Sequence, residues 1–442
     1  MPIKNQIHLL NLLKFNNQKG LMLHGGLRYL GDDRTGGQPE SHRGSDMGQR
    51  YRISLNNKMF EAIFKAGFVW ADGHTALALL SNYTAHDQSS LYGLRSYSGY
   101  ENRLYTNLIL TRDLDAEAKH VLNGGFSYFY DRFDETLNAL EDTRTESVPG
   151  IFMEYTFKPD ERLTLLAGLR ADHHNRFGSF VTPRIHFRYQ PAEWLTFRLS
   201  AGKGYRTANV LTENQHLLAN YRTLAFDETM QEEAWNYGLS IVQHHRLFEK
   251  DLHFTLEYFR TDFLQQLVVN KEADPLRIYL QPLQGESFAN TFQAELRYPL
   301  VKNLDLTLAY RINDVQQTIN GQLKDKPYSG RYKGLATINY TTNMKRWMFD
   351  YTLQLNGGGR LPVVPGTAMP AEFPSYTLMN LQVTRFFRHW NIYAGSENLT
   401  GFMQDNPVLG ASQPFSPGFD ATNVWGPVMG RRIYAGLRFT LN

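Results

Sequence analysis

The chain has 442 residues with no cysteine, 25 Tyr, 28 Phe and 6 Trp, and its 46 basic and 43 acidic residues leave a formal net charge of +3. Without cysteine there is no disulfide framework and no thiolate metal site, and a near-balanced charge without a concentrated basic patch argues against a dedicated nucleic-acid binder. No run of 18 apolar residues occurs, which excludes a membrane-spanning helix but not a membrane-spanning barrel, whose signal is alternation rather than bulk hydrophobicity.

The first segment, "MPIKNQIHLLNLLKFNNQKG", has one early Lys, a short apolar stretch broken by Asn11 and no small-residue cleavage site after it. It makes a poor export signal and reads as a strand that closes on a turn at 16–19. Further along, Leu195, Phe197, Leu199 and Ala201 alternate with Thr196, Arg198, Ser200 and Gly202. The "GKGYR" that follows lacks the third glycine and the helix of a dinucleotide fingerprint, so it reads as the top of a strand entering a long loop. Leu304, Leu306, Leu308, Tyr310 and Ile312 alternate with polar neighbours, as do Trp347, Phe349, Tyr351, Leu353 and Leu355, and finally Ile433, Ala435, Leu437, Phe439 and Leu441. This is period two, with the apolar members expected to face lipid.

Marked wherever the pattern holds, there are about nineteen strands. Short connections fall near 16–19, 71–74, 113–117, 159–161, 191–193, 246–249, 299–302, 342–345 and 387–388. Long ones fall near 32–46, 87–97, 132–145, 205–228, 264–285, 316–329, 357–373 and 399–427, with 175–179 short where a long loop is due. One end of the sheet thus carries tight turns and the other carries loops, as in outer-membrane barrels. Trp70, Trp194, Trp347 and Trp390 sit beside short turns, where an indole suits the boundary between hydrocarbon and water.

On the polar face Arg170, Arg184, Arg188, Arg198, Arg297, Arg311 and Arg438 recur with Glu257 and Glu295, and are expected to line the lumen. In His173–His174 and His244–His245 the neighbours point to opposite faces of a strand, so neither pair chelates a metal by itself. No nucleophile elbow, metalloprotease helix or P-loop occurs, and no metal site, cofactor or catalytic residue is expected.

The segments "VPGIFMEYTFKPDERLTLLAGLRADHHN" (148–175), "TPRIHFRYQPAEWLTFRLSAGKGYRTANVLTENQHLLA" (182–219), "NIYAGSENLTGFMQDNP" (391–407) and "GRRIYAGLRFTLN" (430–442) resemble the barrel of TonB-dependent outer-membrane receptors, especially those of the Bacteroidota. The likeness covers essentially the whole chain, 1–442, as a single all-β transmembrane antiparallel barrel domain. The resemblance implies a barrel of about 22 strands around a separate N-terminal plug. It also implies energy from the TonB–ExbB–ExbD complex, a surrounding outer-membrane bilayer with lipopolysaccharide, and uptake of a scarce nutrient such as an iron–siderophore, haem or a corrinoid. The strand count is about three short of that number, and no signal peptide, TonB-contacting segment or plug precedes the barrel pattern. The expectation is therefore a barrel incomplete at its N-terminus that performs no active transport alone. A passive diffusion barrel and a soluble extracellular glycan-binding β-protein are the alternatives. Selectivity is expected in the long loops, with Tyr205, Tyr221, Phe373, Phe402, Phe415 and Trp425 supplying aromatic contact area and Arg206 and Arg360 attracting anionic chelates.

Overall fold

The computed structural model describes residues 3–38, 50–226, 229–366 and 369–441. In chain order come β1 (Ile3–Asn16), β2 (Leu21–Gly37), β3 (Arg52–Val69), β4 (Thr75–Tyr92), β5 (Arg95–Asp113), β6 (His120–Leu137) and β7 (Leu140–Phe157). β8 (Leu163–His174), β9 (Gly178–Ala192) and β10 (Leu195–Thr207) follow, then a 3-10 turn at Thr212–Leu218 and β11 (Thr223–Phe226). Next are β12 (Gln231–Leu247), β13 (Lys250–Gln265), β14 (Leu267–Asn270), β15 (Arg277–Pro282), β16 (Ser287–Val301), β17 (Leu304–Ile319) and β18 (Gln322–Asp325). The last group is β19 (Tyr332–Thr341), β20 (Trp347–Asn356), β21 (Gly359–Arg360), β22 (Glu372–Phe373), β23 (Tyr376–Phe386), β24 (Trp390–Glu397) and β25 (Arg432–Phe439).

The main sheet has twenty strands. Setting aside β18, a hairpin extension that pairs with the end of β17, leaves nineteen long strands in one antiparallel meander, each paired with the next. At the two ends of the meander β1 pairs with β2, and β25 with β24. No described helix is long and apolar enough to cross a membrane. By packing, the chain falls into two compact units, one of Met1–His186, Leu211–Tyr221 and Gly410–Asp420, the other of Phe187–Val210, Arg222–Leu409 and Ala421–Asn442.

Register turns the alternation into two chemically distinct faces. In the second unit Leu306 lies opposite Tyr298 on one side and Ile338 on the other, Ile338 opposite Tyr351, and Tyr351 opposite Leu381. The two apolar series thus share one face, as the alternation predicts, and the protein leaves it uncovered: Leu308 is 39% exposed, Tyr310 45% and Phe349 39%. A face of this kind is stable in hydrocarbon, because the strands satisfy one another's backbone groups along the paired ladders and apolar side chains need no further cover. In the first unit Tyr29 opposite Phe60, with Leu27, Phe64 and Phe68 on the same side, repeats the arrangement.

The short connections predicted from sequence are all short. Three of the predicted long loops are corrected. Residues 87–97 and 132–145 are not loops: β4 and β5 continue to a turn at Gly93 and Leu94, and β6 and β7 to one at Asn138 and Ala139. Alternation fades there because both faces carry polar side chains such as Gln88, Ser89, Asp134 and Glu135, while the ladder pairing persists. Similarly, 316–329 is largely the β17–β18 hairpin, closed by Gly321 at φ 73°. Residues 39–46 of the predicted 32–46 loop lie outside the described residues, and β2 runs on to Gly37.

Candidate functional site

The long connections fold onto the strand ends away from the tight turns. In the first unit the 3-10 turn brings Thr212 to the tip of the β6–β7 hairpin, where its hydroxyl and that of Tyr97 both reach Glu135 Oε1, at 2.9 and 2.7 Å. Gln215 accepts from Gln88 at 2.7 Å, and the Tyr221 carbonyl accepts from Arg95 at 2.7 Å. The 410–420 segment docks beside it: Asn220 bridges Asp420, the Tyr221 N–H donates to the Phe419 carbonyl, and Phe415 and Phe419 lie 5.8 and 4.6 Å from the Tyr51 ring. Burial drives the electrostatics of this layer. It pushes the Tyr51 phenol up to about 12, and raises the Glu135 carboxyl despite the hydroxyls that hydrogen-bond it. Tyr97 is only 2% exposed, and its phenol is raised by burial and by the adjacent Glu135.

In the second unit four rings converge. Phe373 stacks on Trp425 at 5.4 Å and Tyr376 on Phe402 at 4.8 Å, while Trp425 lies 6.0 Å from Tyr376 and 6.2 Å from Phe402. Gln404 holds the Trp425 segment, its Oε1 accepting the N–H groups of Trp425 and Gly426 at 2.8 and 3.1 Å and its Nε2 donating to the Asn423 carbonyl at 2.6 Å. Asn398, at φ 50°, donates through Nδ2 to the carbonyls of Phe402 and Met429. Arg360 lies one residue from Gly359, which pairs with Phe373; it forms an ion pair with Glu272 and donates to the Asp325 carbonyl at 3.3 Å. Beneath it Arg222, 1% exposed, donates to the Lys271 carbonyl, and the Lys271 ammonium sits 5.0 Å over the Tyr328 ring and 2.8 Å from Thr422 Oγ1.

Phe373, Phe402, Trp425 and Arg360 are thus brought together, although Phe373 is buried and Arg360 is already paired. Tyr221 and Phe415 belong to the other unit, with Phe415 45% exposed. Tyr205 and Arg206 stand at the end of β10, Tyr205 under Lys203 at 5.0 Å and Arg206 paired with Glu232 at 2.6 Å. The sequence reading missed Gln404, Asn398, Arg222, Lys271 and Glu272. A polar residue in a loop announces no partner, and only the positive φ at Asn398 had a local cue, its place in "ENLTGF".

The polar face holds the expected charges. Arg198 aligns through Ser240 with Glu257, Glu257 through Gln293 with Arg311, and Glu295 and Arg297 lie on the same face with a 2.6 Å ion pair between them. Arg438 sits opposite Asn391, and Arg188 donates to Gln190 at 2.5 Å. In the first unit Arg170 donates to Asp172 and Ser127, each at 2.7 Å, and Arg184 pairs with Glu154.

A long antiparallel meander with an apolar face, a charged face, tight turns at one end and longer connections at the other defines the class of transmembrane β-barrel proteins. The family model described as TonB dependent receptor-like, beta-barrel, matches residues 5–399, and the chain belongs to that family. It has the fold of the siderophore receptor PirA from Pseudomonas aeruginosa (13% identity, TM-score 0.64, covering 99% of this chain and 71% of that one). Similar too are the siderophore receptor PiuA from Acinetobacter baumannii (13%, 0.67, 99% and 74%) and the ferric-catecholate import receptor Fiu from E. coli K12 (9%, 0.68, 99% and 75%). No curated protein shows significant similarity to the chain in sequence. The family is one of receptors, not enzymes.

Proposed function

We propose that this chain is the barrel of an outer-membrane importer whose ligand is a ferric chelate of the siderophore type. The observation that carries the reading is the cluster of Phe373, Tyr376, Phe402 and Trp425 beside Arg360, drawn from separate connections at the loop end. Aromatic faces supply rigid contact area to planar chelating groups, and a guanidinium suits their anionic oxygens. The names of the structural neighbours, siderophore and ferric-catecholate receptors, support the same class of ligand, and haem and corrinoids rank behind it. In this reading the polar face with Arg170, Arg198, Glu257, Arg311 and Arg438 surrounds a plug, the energy comes from a TonB–ExbB–ExbD complex, and lipid and lipopolysaccharide cover the apolar face. The sequence segments at 148–175 and 391–407 favour a receptor of the Bacteroidota kind. The test is binding of a radio-iron chelate panel (catecholate, hydroxamate, citrate) with haem and cobalamin to the purified protein in detergent. Saturable binding of one ferric chelate class is expected, and retention of haem or cobalamin alone overturns the assignment of ligand class.

A further inference from the structure

His244 and His253 face each other across the β12–β13 ladder, next to the tight turn and on the polar face of the sheet. Their Nδ1 atoms are 2.6 Å apart, with the rings at 85° and their centroids separated by 4.7 Å. The backbone explains the closeness. The His244 N–H donates to the Trp194 carbonyl at 2.8 Å, so its polar backbone groups face away from β13 and the two histidines form a non-hydrogen-bonded pair. In such pairs the opposed side chains approach most closely.

We infer that His244 and His253 form a two-imidazole site for a borderline divalent transition metal, Cu2+ foremost and Ni2+ or Zn2+ after it. An ion about 2.0–2.1 Å from each nitrogen, at a square or tetrahedral angle, needs the two nitrogens about 2.9–3.4 Å apart. That asks less than about an ångström of the present geometry, within small χ adjustments on two exposed side chains. Two imidazoles favour Cu2+, Ni2+ and Zn2+ over the oxygen-seeking Mg2+ and Ca2+, and water completes the coordination. The neighbouring cations do not oppose the ion strongly: Arg297, opposite His253, is paired with Glu295 at 2.6 Å, and Arg246 is opposite Asp251. The sequence-adjacent pairs do not compete. His173 hydrogen-bonds Ser179, His174 is buried on Glu146, and the His245 ring packs on Trp194 at 5.0 Å. This site is independent of the proposed loop ligand, which lies at the other end of the strands.

The test is Cu2+ titration of the whole chain, folded in detergent micelles, followed by electron paramagnetic resonance. At one Cu2+ per chain the spectrum should show two equatorial imidazole nitrogens, and Zn2+ or Ni2+ should displace the copper. His244→Gln and His253→Gln should each weaken the first Cu2+ by about tenfold or more and leave a one-nitrogen spectrum, while His389→Gln changes neither. Heat-modifiable electrophoretic mobility confirms that each variant is folded. A one-nitrogen spectrum in the unaltered protein, or Cu2+ affinity unchanged in both folded variants, overturns the site.

Discussion

The Tyr97 hydroxyl donates to Glu135 Oε1 at 2.7 Å, and Thr212 arrives from more than seventy residues away to share the same oxygen at 2.9 Å. A loop segment is thereby fastened to a hairpin tip by a carboxylate that is 5% exposed. Glu135 lies beyond the roughly ten residues a strand needs to cross the bilayer.

Burial raises the carboxyl pKa of Glu135, and the sign of the linkage follows. Its contribution to stability is full below the ordinary carboxylate range, about 4.3, and is lost as pH rises through the raised folded value. Glu135→Gln keeps an acceptor without the charge, so the stability difference between variant and native protein should shift in favour of the variant as pH rises across that interval. Thermal melting in detergent over a pH series checks this. A difference that is flat with pH contradicts it.

Leu306→Arg places a charge among Tyr298, Ile338 and Tyr351 and should cost about 2–4 kcal/mol if it lies near the bilayer midplane, whereas Thr337→Arg on the polar face should cost much less. Urea unfolding in lipid vesicles measures both. Equal costs would mean that the faces are assigned wrongly.

Gly395 and Gly436 are covered by tyrosines of the facing strand. A Cβ on Gly436 would lie 2.2 Å from the Tyr393 ring, and one on Gly395 would lie 2.5 Å from the Tyr434 hydroxyl. Each glycine pairs directly with the other strand's tyrosine. Gly436→Ala should therefore destabilise by about 1–3 kcal/mol through displacement of Tyr393. An unchanged unfolding midpoint would show that the ring moves aside without cost.

Gln404→Ala removes the acceptor of two backbone N–H groups and the donor to a third group, and should cost about 1–3 kcal/mol for each buried group left unpaired. The loss should be local. Limited proteolysis is expected to cut between 415 and 429 in the variant and not in the native protein, with the strands intact.

What was legible in the sequence follows from where one face met hydrocarbon. The series at Leu304–Ile312 and Trp347–Leu355 announced their strands because lipid demands apolar side chains at every second position, and Trp70, Trp194, Trp347 and Trp390 all stand at the turn end, 41 to 46% exposed. Beyond the bilayer that demand lapses, so Asp87–Ser90 and Arg132–Thr136 read as loops although their ladders continue. Among the ligand candidates, loop position and residue type pointed to Phe373, Phe402 and Trp425. Their stacking, and the occupation of Arg360 by Glu272, depend on contacts between distant connections that no local pattern carries.

Import of a ferric chelate is read without intermediary by radio-iron uptake in the native host. With the gene intact, cells should accumulate iron from one chelate class in a manner abolished by a protonophore, and gene deletion or Trp425→Ala with Arg360→Ala should abolish or strongly reduce that uptake. Unchanged accumulation of every ferric chelate after deletion would contradict the account.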